Sequence, residues 1–320
     1  MQKYKRIAQT IFIFVLLELF FDNTIIMQKK VKVLFRHRSM EMGGVEKVIL
    51  NLLNNLDREK LDLTLLVSLY QGELRDKIPA HINYVKINKG KEDFSKNTLI
   101  NNLQLVFRGL KIKFLEIFPN LTDKFYLDQQ FDVEIACTYG DYDSVLRSAN
   151  KNSKKIGWFH SDITFPKLQP AVPTILKQIS QFDYFIFGSQ QTKDIFTQTY
   201  PNFKLPENQV ILNAIPIEEI KQKAVEFVPD FGTKDPVFVS VGRLHSRKGY
   251  HKLIEAHSKL IKDGFAHKII IIGDGEEREN LENLAKMYGV QHSFVLLGSL
   301  LNPYPYVKNA DFFVMPSESE

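Results

Sequence analysis

The stretch Ser240-Val241-Gly242-Arg243-Leu244-His245-Ser246-Arg247-Lys248-Gly249-Tyr250 decides the fold. It leaves the apolar run Val237–Val241 and opens a segment whose apolar residues Leu253, Ile254, Leu260 and Ile261 recur at helical spacing. A buried strand that breaks at a glycine and runs straight into an amphipathic helix is the first part of a β-α-β unit. Such units build parallel sheets with helices on their faces. Arg243 and Lys248 sit on the connecting loop. There the free N–H groups and the dipole of the helix already favour an anion. Two cations added to that loop suit a diphosphate.

The same alternation continues in both directions. After the strand come a helix over 249–262, a strand over Lys268–Ile272, a helix over 276–287, and strands over 294–297 and 312–315. Upstream, 31–35 is strand-like, and Val45, Val48, Ile49, Leu52, Leu53 and Leu56 follow at helical period. Further strands are expected at 61–67, 131–136, 155–159, 183–187 and 210–212, with a helix at 190–200. The stretch 213–235, with Pro216, Pro229 and Gly232, loses the pattern and is expected to be a linker. The reading is therefore α/β, with two Rossmann-like domains: 27–212 and 236–320. A sequence that stops just after a strand predicts an incomplete second domain.

Composition bounds the rest. The chain has 320 residues, enough for two domains of ordinary size. Its 42 Lys and Arg against 37 Asp and Glu leave it only mildly basic, which gives no argument for nucleic acid as a partner. A single cysteine, Cys137, excludes an intrachain disulfide and a thiolate metal cluster, and the expected compartment is the cytoplasm. Lys3, Lys5 and Arg6 precede an apolar run over 11–21. That run is short for a membrane span, and Met27 reads as a start before the first strand, so 1–26 is expected to be an extension outside the fold.

Residues 88–130 are irregular and rich in Lys and Asn. Within them Ile100, Leu103, Phe107, Leu110, Phe114 and Ile117 keep a helical period, with Arg108, Lys111 and Lys113 interspersed. An amphipathic helix of this kind ordinarily packs its apolar face on its own domain. A basic one can instead contact a membrane surface, which would place the protein peripherally at the inner face of the cytoplasmic membrane.

Four further groups carry candidate chemistry. Gly43-Gly44-Val45-Glu46 lies at the carboxyl end of the first strand, where open sheets bind ligands and paired glycines present N–H groups. The three-glycine dinucleotide fingerprint is absent. His160, in Trp158-Phe159-His160-Ser161-Asp162, ends another strand, and its imidazole can hydrogen-bond a substrate hydroxyl. Ile272-Gly273-Asp274-Gly275 forms a strand-to-helix turn whose glycines either line a nucleotide pocket or serve a positive φ. Glu318 and Glu320 follow the last strand, and spacing does not choose between them. Asp141-Tyr142-Asp143 has the spacing of a metal-holding Asp-x-Asp pair but is common by chance, and the eight histidines include no helical metal pair.

Together these blocks resemble the group 1, or family 4, retaining glycosyltransferases, in the bacterial polysaccharide-synthesis branch. Val241-Gly242-Arg243-Leu244 with Lys248-Gly249 is similar to the block that binds the donor diphosphate. Ile211-Leu212-Asn213-Ala214-Ile215 looks like the run into the linker. Asn302-Pro303-Tyr304-Pro305-Tyr306 through Pro316-Ser317 looks like the closing segment. The resemblance implies a GT-B fold whose site lies between two domains. It also implies transfer of a sugar, with retention, from a UDP- or GDP-linked donor to a glycan or lipid-linked acceptor. It makes His160 and Glu320 catalytic. Arg243, Lys248, Gly43 and Gly44 would bind the diphosphate, and Gly273, Asp274 and Gly275 the nucleotide. It requires no metal and no cofactor beyond the donor. The family's second glutamate would fall past Glu320, so a non-catalytic scaffold role is the first alternative, and a nucleotide-sugar epimerase on the same fold the second.

Overall fold

A computed structural model describes residues 29–213 and 215–317. The expectations for 1–26, Glu318 and Glu320 lie outside the described residues. The chain divides into two compact units between Ile215 and Pro216, inside the stretch expected to be a linker.

The first unit is a seven-stranded parallel sheet in the order β3-β2-β1-β4-β5-β6-β7. Its strands are β1 (Val31–His37), β2 (Leu61–Tyr70), β3 (Asn83–Lys89), β4 (Val133–Ala136), β5 (Lys154–Phe159), β6 (Tyr184–Phe187) and β7 (Glu207–Val210). The central strands are mostly apolar on both sides because helices cover both faces, with Arg36, Glu134 and Lys155 among the buried charged exceptions. Val33, Phe35, Val133, Ile135, Ile156 and Trp158 share one face with Ile49 and Leu53 of α1 (Gly44–Asn55). The other face packs Phe159, Phe185 and Phe187 against α5 (Val172–Ile179) and α6 (Gln190–Thr199). Between them in sequence lie α2 (Thr98–Ile117), α3 (Pro119–Tyr126) and the short α4 (Tyr142–Leu146). β3 had no expected counterpart: Asn83, Lys86, Asn88 and Lys89 dilute its apolar content, and it sits at the sheet edge beside β2.

The chain order reverses at β1. β2 and β3 lie to one side of it and β4 to the other, so the β1–β4 boundary is a topological switch point. Crevices at the carboxyl ends of strands at such points are where open α/β sheets bind ligands.

The second unit has four parallel strands in the order β10-β9-β8-β11: β8 (Val237–Val241), β9 (Lys268–Ile272), β10 (Phe294–Gly298) and β11 (Phe312–Phe313). Its helices are α7 (Ile217–Lys223), α8 (Tyr250–Lys262), α9 (Arg278–Met287) and α10 (Tyr304–Asn309). Residues 216–235 are not a bare tether. α7 belongs to this unit, and Asn302 donates both to the Lys223 carbonyl at 3.0 Å and to the Glu226 carboxylate at 2.7 Å. Leu244, Ile254, Ile269, Ile271 and Leu281 form one core layer, and Val237, Val239, Ile270 and Ile272 the other. Here the switch point lies between β8 and β11.

Candidate active site

In the second unit the decisive loop is laced to its neighbour. Gly242 N donates to Ile272 O at 3.0 Å, Leu244 N to Asp274 O at 3.0 Å, and Glu277 N to Leu244 O at 3.1 Å. Gly273 has φ +150°, and a Cβ on it would be driven into the Gly242 carbonyl; one on Gly275 would strike that of Leu244. Both glycines are thus required to seat the 273–275 turn beneath the 242–244 turn. Gly249 caps the start of α8 with φ +68°, and a side chain there would run into the Pro316 carbonyl. The α8 N-terminus therefore abuts the segment leaving β11, at the switch point itself.

Both expected cations are on this loop. Arg243 is 67% exposed, with Nε 3.4 Å from the Glu276 carboxylate. The stem of Lys248 runs beside Gly242, its Cε 3.7 Å from where a Cβ would lie. His245 Nδ1 accepts from Arg247 N at 3.2 Å, capping the short turn 246–248. That leaves its Nε2 to carry the proton, 3.4 Å from Glu276. Glu276 is therefore shared by Arg243 and His245, and an arriving anion would compete with it for both. The Asp274 carboxylate accepts from Gly275 N at 2.8 Å, so it braces its own turn.

The first unit gathers a second group at its switch point. His37 ends β1 and is buried, with Nδ1 3.2 Å from Asp141 Oδ2 and Nε2 3.1 Å from Glu46 Oε1. Burial alone would lower its pKa, but the hydrogen bonds to Asp141 and Glu46 prevail and raise it to about 9. Thr138 donates from N and Oγ1 to the same Asp141 oxygen, at 3.0 and 2.7 Å. This carboxylate is occupied by a cap and an imidazolium, and Asp143 pairs instead with Arg147 at 2.9 Å. The two aspartates thus serve different partners.

His160 follows β5 at the same edge, its ring 4.7 Å from that of Trp158. Gly188 makes room for it: a Cβ there would lie 2.9 Å from Nδ1. Burial, reinforced by the charge on His37, lowers its pKa to about 4, so the ring is neutral. Its Nε2 is buried and has no hydrogen-bond partner among the described residues. A neutral imidazole with an unsatisfied nitrogen at a sheet's carboxyl edge is equipped to meet a ligand hydroxyl.

Gly43 is the N-cap of α1, in extended conformation and with no side-chain cap. The Glu46 carboxylate folds back over it. The sequence pattern singled out His160 and the glycine pair, which lie at this edge, but not His37 or the contact that Glu46 makes with it. His37 closes an apolar strand, and only its register beside β4 brings Asp141 to it. Among the described residues no cluster of His, Cys, Asp and Glu has the arrangement of a metal site.

Three comparisons bear on this geometry. The model of the family "Glycosyl transferases group 1" matches residues 221–320. The chain is 27% identical over 299 residues to the N-acetylgalactosamine-N,N'-diacetylbacillosaminyl-diphospho-undecaprenol 4-alpha-N-acetylgalactosaminyltransferase of Campylobacter jejuni, covering 88% of this chain and 73% of that one. It is 40% identical over 85 residues to the lipopolysaccharide core biosynthesis glycosyltransferase LpsE of Rhizobium meliloti, covering 27% of this chain and 24% of that one. Among solved structures it resembles Anabaena HepE in complex with UDP, with a TM-score of 0.60, 18% identity, and coverage of 90% of this chain and 74% of that one. At that identity the likeness is one of fold: two α/β units, each a parallel sheet covered by helices.

Proposed function

From a chain whose residues 221–320 match the group 1 glycosyltransferase model, and whose relatives include a diphospho-undecaprenol N-acetylgalactosaminyltransferase and a lipopolysaccharide core biosynthesis glycosyltransferase, we propose an enzyme that moves a sugar from a nucleoside diphosphate donor to a lipid-linked glycan acceptor, with retention of configuration. The observation that carries this reading is the β8–α8 loop. It places Arg243 and Lys248 beside a helix N-terminus at the switch point of the second sheet.

The chemistry follows from charge. Breaking the bond between the anomeric carbon and the phosphate oxygen leaves a negative charge on the diphosphate. Fixed cations and N–H dipoles aimed at that oxygen stabilise the transition state more than the ground state. Arg243 would exchange its contact with Glu276 for the diphosphate, and Lys248 would neutralise the second phosphate. These two charges supply what a divalent ion supplies elsewhere, and the proposal needs no resident metal. The 273–275 turn would shape the nucleotide pocket. In the first unit neutral His160 would accept or donate a hydrogen bond at a hydroxyl of the transferring sugar through Nε2. Burial, reinforced by charged His37, keeps it from protonating. The acceptor class is carried over from the Campylobacter relative, whose name describes a diphospho-undecaprenol substrate.

The experiment pairs a thermal-shift screen of UDP- and GDP-sugars with NMR of the product's anomeric linkage. A stabilising donor and a transferred sugar of unchanged configuration are expected. An inverted linkage would remove the retaining mechanism, and a free epimer would replace transfer altogether.

A further inference from the structure

Strand β9 runs into Gly273-Asp274-Gly275-Glu276-Glu277, which sets three acids on the turn beneath the Arg243 loop. Acids carry the wrong charge for neighbours of an anion site, and two of them are engaged locally. Asp274 accepts from Gly275 N at 2.8 Å, and its other oxygen lies 3.7 Å from Arg278. Glu277, at the start of α9, accepts from Asn280 Nδ2 at 3.2 Å. Glu276 reaches for the loop instead. Its Oε2 lies 3.4 Å from Arg243 Nε and its Oε1 3.4 Å from His245 Nε2.

The backbone holds this contact in place. Leu244 N donates to Asp274 O, and Glu277 N donates to Leu244 O. Hydrogen bonds two residues before Glu276 and one after it thus tie it to the residue between Arg243 and His245. Arg243 is 67% exposed and Glu276 49%, so a ligand can part them. An ion pair this exposed adds little to stability. Its weight falls on whatever competes for Arg243.

On the reading of the Arg243 loop as the diphosphate site, on which this inference rests, we propose that Glu276 is a tethered counter-ion that loosens the hold on the nucleoside diphosphate left after transfer. Transfer breaks the bond from the anomeric carbon to the phosphate oxygen and leaves the electron pair on that oxygen. The carbon joins an acceptor hydroxyl, whose proton is released. With a second ionisation near pH 6, the new terminal phosphate carries about one more negative charge than it did in the donor. Cations that steady the developing charge therefore grip the product more tightly than the donor, and product release limits many enzymes of this kind of efficiency. A fixed carboxylate beside Arg243 opposes that grip in proportion to the charge on the ligand. It pairs with Arg243 again as the diphosphate leaves.

The test is titration calorimetry of the full chain and of Glu276→Gln with UDP and UDP-glucose, or with GDP and GDP-mannose if the guanine nucleotide is the one bound. Glutamine keeps the size of the side chain, so the variant should melt with the parent. It should bind the free diphosphate roughly tenfold more tightly and the sugar-linked donor only roughly threefold. High salt should shrink both gains, because exposed charges are screened. Glu282→Gln removes the same charge from an acid that pairs with Arg278 at 3.0 Å, and both affinities should stay at the parent's values. Equal tightening toward the two ligands would overturn the proposal, since competition would then ignore ligand charge. So would affinities that Glu276→Gln leaves unchanged or weakens, and so would a gain matched by Glu282→Gln. Failure of every nucleotide to bind either protein would refute the donor reading along with this one, whereas nucleotide binding indifferent to Glu276 would refute this one alone.

Discussion

Gly273 lies directly against Gly242, so close that its α-carbon has no room for a side chain on the face toward the Gly242 oxygen. This contact holds the 273–275 turn under the loop that carries Arg243. Gly273→Ala should cost about 2–4 kcal/mol, combining left-handed strain with overpacking against backbone that cannot yield. Gly264→Ala is the control: φ there is +89°, but the surrounding space is open, and only the strain, about 1–2 kcal/mol, should appear. Thermal melts of both variants check this. Equal losses would mean that the close contact carries no weight.

Removing either loop cation should slow transfer rather than merely weaken binding. Arg243→Ala and Lys248→Ala are each expected to reduce kcat by roughly a hundredfold, the range for losing one charge-stabilising group. A transition-state role lowers kcat and kcat/KM together, whereas a binding role raises KM alone. Steady-state kinetics at saturating donor separates the two. Near-normal kcat in both variants would refute the assignment of the leaving-group site.

The architecture was legible because buried parallel strands and the helices between them leave opposite periodicities. β8, β9 and α8 were found within a residue of their observed limits for that reason. β3 escaped because an edge strand covered on few sides need not be apolar. α2 was found as a helix, but its stripe of Leu103, Phe107, Leu110, Phe114 and Ile117 is exposed where packing on the domain was the first expectation: the wheel shows that a stripe exists, not what lies against it. His160 was legible from its place at a strand end. His37 was not, since its meaning comes from strands β1 and β4, about a hundred residues apart, lying side by side.

His37 makes stability depend on pH with a definite sign. Its pKa is raised in the fold to about 9 from an ordinary 6.5. The folded state therefore holds the proton more tightly, and the stabilisation is complete below about pH 6.5. It is lost as pH rises through about 9, by about 3 kcal/mol over the window at about 1.4 kcal/mol per unit. His37→Gln keeps a polar side chain but cannot titrate. The gap between parent and variant melting temperatures should narrow steadily from pH 6 to pH 9.5. Parallel curves across that range would show that the imidazole is not the titrating group.

Beneath this site three neighbouring strands place Arg36, Glu134 and Lys155 on one buried face. Arg36 Nε and Nη2 donate to Glu134 Oε2 at 3.0 and 2.8 Å, and Lys155 Nζ donates to Oε1 at 2.8 Å. Asp123 takes a further bond from Arg36 at 2.6 Å, so two cations meet two anions. Burial lowers the pKa of Lys155, with Glu134 opposing that shift. Glu134→Gln leaves a buried positive charge without compensation and should cost about 3–5 kcal/mol. Adding Lys155→Met removes the orphaned charge. The double variant should then be more stable than Glu134→Gln alone, and chemical denaturation of the parent, both single variants and the double variant would reveal the non-additivity. Strict additivity would mean that Glu134 and Lys155 do not act on each other, and that each contributes to the core only through the hydroxyls and carbonyl around it.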